Sequence, residues 1–342
     1  IRYRKRAGAP DPIPVHGNTK LEITWTVIPI LILAVIAIPT ARTIFRTEAA
    51  APSSALQIEV MGHQWWWEFK YPQYGFSTAN EFYMPTGRAV NFTLRTADVL
   101  HSFWVPQMGG KRDLISTRTN YLWYTPNADL KDMVWNGFCT EYCGSSHANM
   151  RIRAYTVAPA EFESWAEGQK APAVFGAAPP PALASIAGTL TTKSAAASSA
   201  WVFPEDKLPD YARPGTPIPA GLTYDDALLE KGDATRGLQL IVGGTAACKN
   251  CHPINGVPGA VVPLAPSLTH IASRHTIAAG LFPNDAPHLA RWIKNAPKMK
   301  PGALMNAWGT GEIDALTKKT VAYGALTDQQ IPDVVAYLRA LK

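Results

Sequence analysis

Charge is scarce in this chain. Only 17% of its 342 residues are Asp, Glu, Lys or Arg, against about 25% in typical soluble proteins. That deficit argues against a disordered polar protein and points to apolar segments, a membrane span or an Ala/Pro-rich linker. Cysteine is scarce too: four residues are too few for a disulfide scaffold of this length, so their first reading is as ligands. The net charge is +6, yet no dense Lys/Arg stripe with interleaved aromatics accompanies it, so no nucleic-acid partner is expected. The length exceeds one ordinary core and predicts two or three domains.

What is present divides the chain into segments. A basic cluster, Arg2 to Arg6, precedes a polar, Pro-rich run, and Ile23 to Ala41 then carries no charge at all. About 20 such residues at about 1.5 Å each cross a hydrocarbon core of about 30 Å. Pro29 and Pro39 are tolerable in such a span. The basic residues before it place residues 1–22 in the cytoplasm and everything from Arg42 onward outside, in a periplasm-like space. From Leu56 to Val157 short alternating runs such as Leu56–Met61, Ala89–Leu94 and Ile152–Val157 are punctuated by turn residues, which predicts an antiparallel sandwich or barrel.

Inside this β-domain stands Cys139-Thr140-Glu141-Tyr142-Cys143-Gly144-Ser145-Ser146-His147-Ala148-Asn149-Met150, with His101 upstream. Two thiolates, two imidazoles, a thioether and a carbonyl form a soft, mixed donor set of the kind that suits copper. On the residues alone a Cys139–Cys143 disulfide, or a zinc site from His101, Cys139, Cys143 and His147, uses the same side chains. From Ala171 to about Gly221 the composition shifts to Ala, Pro, Ser and Gly, which predicts a tether whose second half, with Trp201, Phe203 and Tyr211, packs on a neighbour. Beyond it, Cys248-Lys249-Asn250-Cys251-His252 reads as a c-type haem attachment site. Helical stretches are expected at Asp226–Ile241, around His288–Asn295 and at Asp328–Leu341. A sixth iron ligand needs a soft donor downstream, and Met299 and Met305 are the choices. Histidines outside these motifs, such as His63, His270, His275 and His288, read as surface or structural.

The pattern C-x-E-x-C-x-x-x-H-x-x-M resembles the binuclear copper (CuA) loop of subunit II of haem–copper cytochrome c oxidases. His101–Pro106 followed by Lys111-Arg112-Asp113 resembles that family's first-ligand strand. Gly62–Trp67 resembles its aromatic segment, and Leu21–Pro29 resembles the start of its second membrane helix. The match covers roughly residues 13–165. It implies a multidomain protein: cytoplasmic segment 1–22, transmembrane helix 23–46, cupredoxin-like β-barrel 55–165, linker 166–222 and an all-α c-type cytochrome domain 223–342. The implied copper ligands are His101, Cys139, Cys143, His147, Met150 and the carbonyl of Glu141, whose side chain would reach a magnesium ion shared with subunit I. Trp65 would be the surface aromatic through which electrons enter, and Glu22 would lie at the cytoplasmic mouth of a proton path, although a helix-start carboxylate is the plain reading. Lys300–Met305 resembles the K-P-G-x-x-M loop of cytochrome c domains fused to oxidase subunits, which favours Met305. Asn306, standing where many relatives have Pro, keeps Met299 open.

The implied function is subunit II of a proton-pumping cytochrome c oxidase of the bacterial inner membrane. Its partners would be subunits I and III, with a cytochrome c or another periplasmic protein as donor. A copper domain like that of nitrous oxide reductase would carry the same loop but also need a large His-rich propeller, which the sequence lacks. A quinol oxidase subunit would not need the intact copper ligands. Between Leu56 and Tyr155 nine Lys/Arg oppose eight Asp/Glu. A docking face for a free basic cytochrome would be more acidic, so the fused domain is the expected source of electrons. The chain begins with Ile1, and one membrane helix stands where the family has two. An upstream segment is therefore expected.

Overall fold

In a computed structural model of the chain the described residues are 4, 6–11, 13–14, 16–171, 201–261, 263–321 and 325–342. They form two compact units, Ile1–Ala50 and Ala51–Lys342. The expected linker residues 172–200 lie outside the described residues.

The first unit is built on α1 (Thr19–Thr47). It begins four residues before the expected span because Asn18 caps it, its Oδ1 accepting from the Leu21 N–H at 3.3 Å. The helix runs through Pro29 and Pro39, and none of its side chains is buried within the protein. At about 1.5 Å per residue it is long enough to cross a bilayer.

The second unit opens with ten strands: β1 (Leu56–His63), β2 (Trp66–Tyr71), β3 (Phe76–Ala79), β4 (Glu81–Pro85), β5 (Val90–Thr96), β6 (His101–Trp104), β7 (Arg112–Leu114), β8 (Asn120–Tyr124), β9 (Met133–Cys139) and β10 (Arg151–Val157). They make two five-stranded sheets, ordered β3-β2-β1-β5-β8 and β4-β10-β9-β6-β7. The wholly antiparallel expectation needs correction, since β1 pairs with β5 and β4 with β10 in parallel. After β3 the chain leaves the first sheet, lays β4 in the second and returns with β5 alongside β1. Alternation fixes which face of a strand is buried but not its direction. Phe69, Phe82, Phe92 and Phe103 fill the space between the sheets, with ring centroids 4.6 Å apart for Phe69–Phe82 and 5.3 Å for Phe92–Phe103. Burying each such side chain contributes about 1.5–3 kcal/mol.

Helix α2 (Pro159–Lys170) follows, burying Phe162, Trp165, Ala166 and Gln169. That i, i+3, i+4, i+7 face carries the helix past residue 166, where the linker was expected to start. Trp165 stacks on Tyr83, centroids 4.4 Å apart. Residues 201–213 lie against the barrel: Phe203 is in its core, the Tyr211 hydroxyl donates to Val134 O at 2.7 Å, and Asn136 Nδ2 donates to Tyr211 O at 2.9 Å.

Among its described residues the C-terminal part carries three α-helices and one short hairpin, joined by long loops and 3-10 turns. The expected stretch Asp226–Ile241 breaks into a 3-10 turn, Asp226–Lys231, and α3 (Ala234–Val242), because Asp233 caps the latter by accepting from the Arg236 N–H at 2.8 Å. The hairpin pairs β11 (Thr276–Ile277) with β12 (Phe282–Pro283). Then come α4 (Ala286–Met299), kinked at Asn295 ahead of Pro297, and α5 (Ile331–Ala340). Helices α3 and α5 cross so closely that a Cβ on Gly237 would sit 2.0 Å from Asp333 O. Arg236 clamps the crossing with two bonds to the Asp333 carboxylate, 2.7 and 2.9 Å.

The barrel and the helical domain meet along a polar seam. Ala278, Ala279 and Gly280, at the hairpin tip, all adopt positive φ. At alanine this costs about 1–2 kcal/mol per residue. It presents three successive carbonyls, which accept from Lys300 Nζ, the Arg151 N–H and Arg153 Nη2 respectively. Beside them the buried Glu81 of β4 accepts from the Thr276 N–H at 2.7 Å, the Thr276 hydroxyl at 2.6 Å and the His275 N–H at 3.1 Å. His275 Nδ1 lies 3.8 Å from the same carboxylate and 3.1 Å from the Tyr155 hydroxyl. So His275 is structural, as expected, but at a domain interface.

Burial alone would raise the Glu81 carboxyl and lower the His275 imidazole. Their mutual bond and charge outweigh it, holding Glu81 below the usual carboxylate range and His275 above the usual imidazole value. Glu81 therefore stabilises the fold above its unfolded pKa of about 4.5, and that contribution is lost as pH falls through the depressed value. His275 stabilises it below about 6.5, and that contribution is lost as pH rises through the elevated value. The seam should be firmest between about pH 4.5 and 6.5. Denaturant midpoints of the full chain across this range should show that maximum and lose it in Glu81→Gln. Glu81→Ala, which leaves buried donors without an acceptor, should cost about 1–3 kcal/mol.

Candidate metal centre and adjoining crevice

The predicted copper loop runs from the end of β9 to the start of β10. Its two ends are tied together by the Cys139 N–H donating to Met150 O at 3.0 Å, and it is tied to β6 by the Thr140 N–H donating to Ser102 O at 3.0 Å. β6 pairs with β9, Phe103 opposite Cys139, which sets His101 beside the first cysteine. Gly144, at φ +111°, reverses the chain, and a Cβ there would meet Trp65 Cζ2 at 3.0 Å. A turn over His147–Asn149 then brings Met150 back to the strands.

All six expected donors converge. Cys139 Sγ lies 3.7 Å from His101 Nδ1, 3.3 Å from Glu141 O and 3.8 Å from Cys143 Sγ. Cys143 Sγ lies 3.5 Å from His147 Nδ1 and 3.9 Å from Met150 Sδ. Both cysteines are free thiols, their separation far beyond the roughly 2.05 Å of a disulfide. A zinc site would leave the Met150 thioether and the Glu141 carbonyl without a role. The sulfur-rich set fits copper. The hydrogen bond between the sulfurs pulls the Cys139 thiol down and drives Cys143 up. The Glu141 side chain is exposed.

Asp98 was not legible beforehand. Its Oδ1 accepts from His101 Nε2 at 2.8 Å, leaving Nδ1 toward Cys139. Carboxylates that orient a ligand imidazole in this way fix its tautomer. The only sequence signal was an acidic residue three positions before the histidine. A second pair of fixing contacts ends on Cys143 O, which accepts from Gln64 Nε2 at 2.8 Å and Trp65 Nε1 at 2.9 Å.

In the helical domain Cys248, Cys251 and His252 line a cavity of about 470 Å³, within the range of cofactor sites. His252 Nδ1 donates to Pro266 O at 2.7 Å, which leaves Nε2 as the nitrogen able to bind iron. Burial holds His252 below the usual imidazole value and pushes the Cys248 thiol up to about 11. Met305 lines the same cavity, whereas Met299 is packed into the apolar core. The donors suit a covalently attached haem.

Two more of the expected site residues have defined places. Trp65, expected on the barrel surface, is only 9% exposed because the helical domain covers it, and it lines the same cavity as Cys248 and His252. Glu22 stands in the first turn of α1, where its carboxylate accepts from the Asn18 N–H at 3.3 Å, the plain helix-start arrangement.

The family described as "Cytochrome C oxidase subunit II, periplasmic domain" matches residues 75–157, "Cytochrome C oxidase subunit II, transmembrane domain" matches 1–42, and "Cytochrome c" matches 239–342. Cytochrome c oxidase subunit 2 of Alkalihalophilus pseudofirmus is 31% identical over 100% of this chain and 79% of its own length. That of Bacillus subtilis is 29% identical over 100% and 81%. The solved periplasmic domain of subunit II of cytochrome oxidase of Bradyrhizobium japonicum is 31% identical, with a TM-score of 0.33, over 35% of this chain and 97% of its own.

Because the two cofactor sites stand on separate cores, Cys143→Ser should abolish copper binding and leave haem attachment intact. Asp98→Asn should weaken copper retention about 10–100-fold. Metal analysis of the purified chain, with its visible spectrum, checks both.

Proposed function

Given that the chain belongs to the cytochrome c oxidase subunit II family, we propose that it collects electrons for a proton-pumping oxidase. They would enter at a haem held by Cys248, Cys251, His252 and Met305. They would then pass by way of Trp65 to a binuclear copper centre held by His101, Cys139, Glu141 O, Cys143, His147 and Met150, and onward to haem in subunit I. Bound there, haem c supplies a one-electron carrier and the copper pair a second whose two metals share the charge.

The observation that carries this reading is the position of Trp65. Its ring lines the haem-binding cavity while its Nε1–H donates to the backbone of the copper ligand Cys143 at 2.9 Å. Gln64 Nε2 donates to the same carbonyl. The chain is an electron-transfer part of an oxidoreductase and works with other oxidase subunits. It is anchored by α1, with its soluble domains outside. We assign the membrane to the bacterial inner membrane and the outer side to the periplasm. Subunit III and a cytochrome c or another periplasmic donor complete the partners.

Two further roles belong to the same reading. The exposed Glu141 side chain is free to reach a magnesium ion shared with subunit I. Glu22, at the cytoplasmic start of α1, would feed a proton path. Glu22→Gln should lower proton uptake in the assembled oxidase while leaving both metal spectra unchanged.

The purified chain should carry two copper ions with a mixed-valence near-infrared band and one c-type haem. A preparation lacking either signal after copper loading and haem maturation would sink the proposal. Trp65→Phe, which keeps a ring but loses the N–H, should slow haem-to-copper transfer by about tenfold or more, equivalent to about 1.4 kcal/mol of barrier.

A further inference from the structure

The loop that brings Met305 to the crevice touches the barrel at three successive residues. Lys300 Nζ donates to Trp65 O at 2.6 Å and to Ala278 O at 3.3 Å. Pro301 O accepts from the Ser146 hydroxyl, inside the copper loop, at 2.6 Å. Gly302 has φ +88°, and a Cβ there would lie 3.0 Å from Trp65 Cζ3 and 3.1 Å from Ser145 Cβ. Trp65 is therefore held at its backbone carbonyl by Lys300, at its indole nitrogen by Cys143 O, and on its ring by Gly302.

Lys300 is an expensive choice for that place. It is 4% exposed, and among the described residues no carboxylate lies within ion-pair distance. Burial pushes its ammonium down to about 7. Burying a cation is costly, whereas an apolar side chain of the same length would fill the space without that cost. What an apolar side chain lacks is a donor for Trp65 O and Ala278 O. Charged or neutral, the amine supplies one.

We propose that Lys300 is the positioning residue for electron passage between the crevice and the copper loop, its Nζ fixing the Trp65 backbone so that the indole stays both against the crevice and bonded to Cys143. This rests on the functional reading above and names the residue on which its rate depends. The sequence motif around Met305 thus has a second job: its methionine and its lysine both line the crevice, and the lysine also bonds to the barrel.

The test uses the full chain in detergent with both centres loaded. Lys300→Met should slow photoinitiated haem-to-copper transfer by about tenfold or more, with the visible haem spectrum and the near-infrared copper band unchanged. Lys300→Arg, which keeps a donor, should recover most of the rate. Independently of any metal, the Trp67 amide, bonded to Asn80 Oδ1, should exchange hydrogen faster in Lys300→Met than in the parent chain. Should Lys300→Met fail to fold, Lys300→Gln, one atom too short to span the gap, serves instead. Parental transfer and exchange rates in either variant, with both spectra present, overturn the role of Lys300. Absence of either spectrum from the parent chain overturns the functional reading and this inference with it.

Discussion

The carbonyl oxygen of Cys143 accepts two hydrogen bonds from neighbouring side chains of one short barrel segment, Gln64 and Trp65. Much of the functional architecture hangs on that pair. It ties the loop bearing four of the proposed copper-binding side chains to the barrel's aromatic turn. The same turn is where the helical domain takes hold, through Lys300 and Gly302. Hydrogen bonds to a buried carbonyl are modest in net energy but costly to break one-sidedly, since the orphaned group remains buried. The copper loop, the indole and the docking of the second domain therefore form one cooperative unit.

The seam around this unit is polar. Glu81, Arg153 and Lys300 are all buried where the domains meet. Apolar residues of similar size would often give equal or greater stability. Directional groups, however, allow one docking geometry where an apolar patch allows several. The connecting segment fits the same picture. Its second half was expected to pack on a neighbour, and residues 201–213 run along the barrel with Phe203 in the core and Tyr211 bonded to β9. Here the connection behaves as a strap.

How much of this the sequence revealed follows from distance along the chain. Cys139, Cys143, His147 and Met150 fall within twelve residues, and Cys248, Cys251 and His252 within five. Donors so close in sequence announce their chemistry by spacing alone. His101 was legible only as a further candidate donor upstream, because its place beside Cys139 depends on β6 pairing with β9. The parallel pairings of β1 with β5 and β4 with β10 were invisible because burial alternation is the same for either strand direction. The Lys300–Trp65 contact joins residues 235 apart. Nothing in either neighbourhood hints at it, and a lysine followed by Pro-Gly reads as an exposed turn. Asp98 is the intermediate case: local enough to notice, but meaningful only once His101 is known to point its Nε2 away from sulfur.

The near-neutral charge of the barrel then acquires a structural reason. Long-range attraction speeds the meeting of free partners and matters most when they must find each other by diffusion. A domain fused to the same chain and held at this seam needs no such search, because the connection already keeps its effective concentration high. What the fused arrangement must secure instead is orientation, since a domain that docks in several poses would bring Trp65 to the crevice only part of the time. Buried single bonds such as Lys300 to Trp65 O and Thr276 to Glu81 supply that selectivity, and screening by salt weakens them far less than it would a charged docking face. A few buried polar contacts stand where a free partner would need an acidic docking face, each useful only in the one pose that brings the crevice and the copper loop to the same indole.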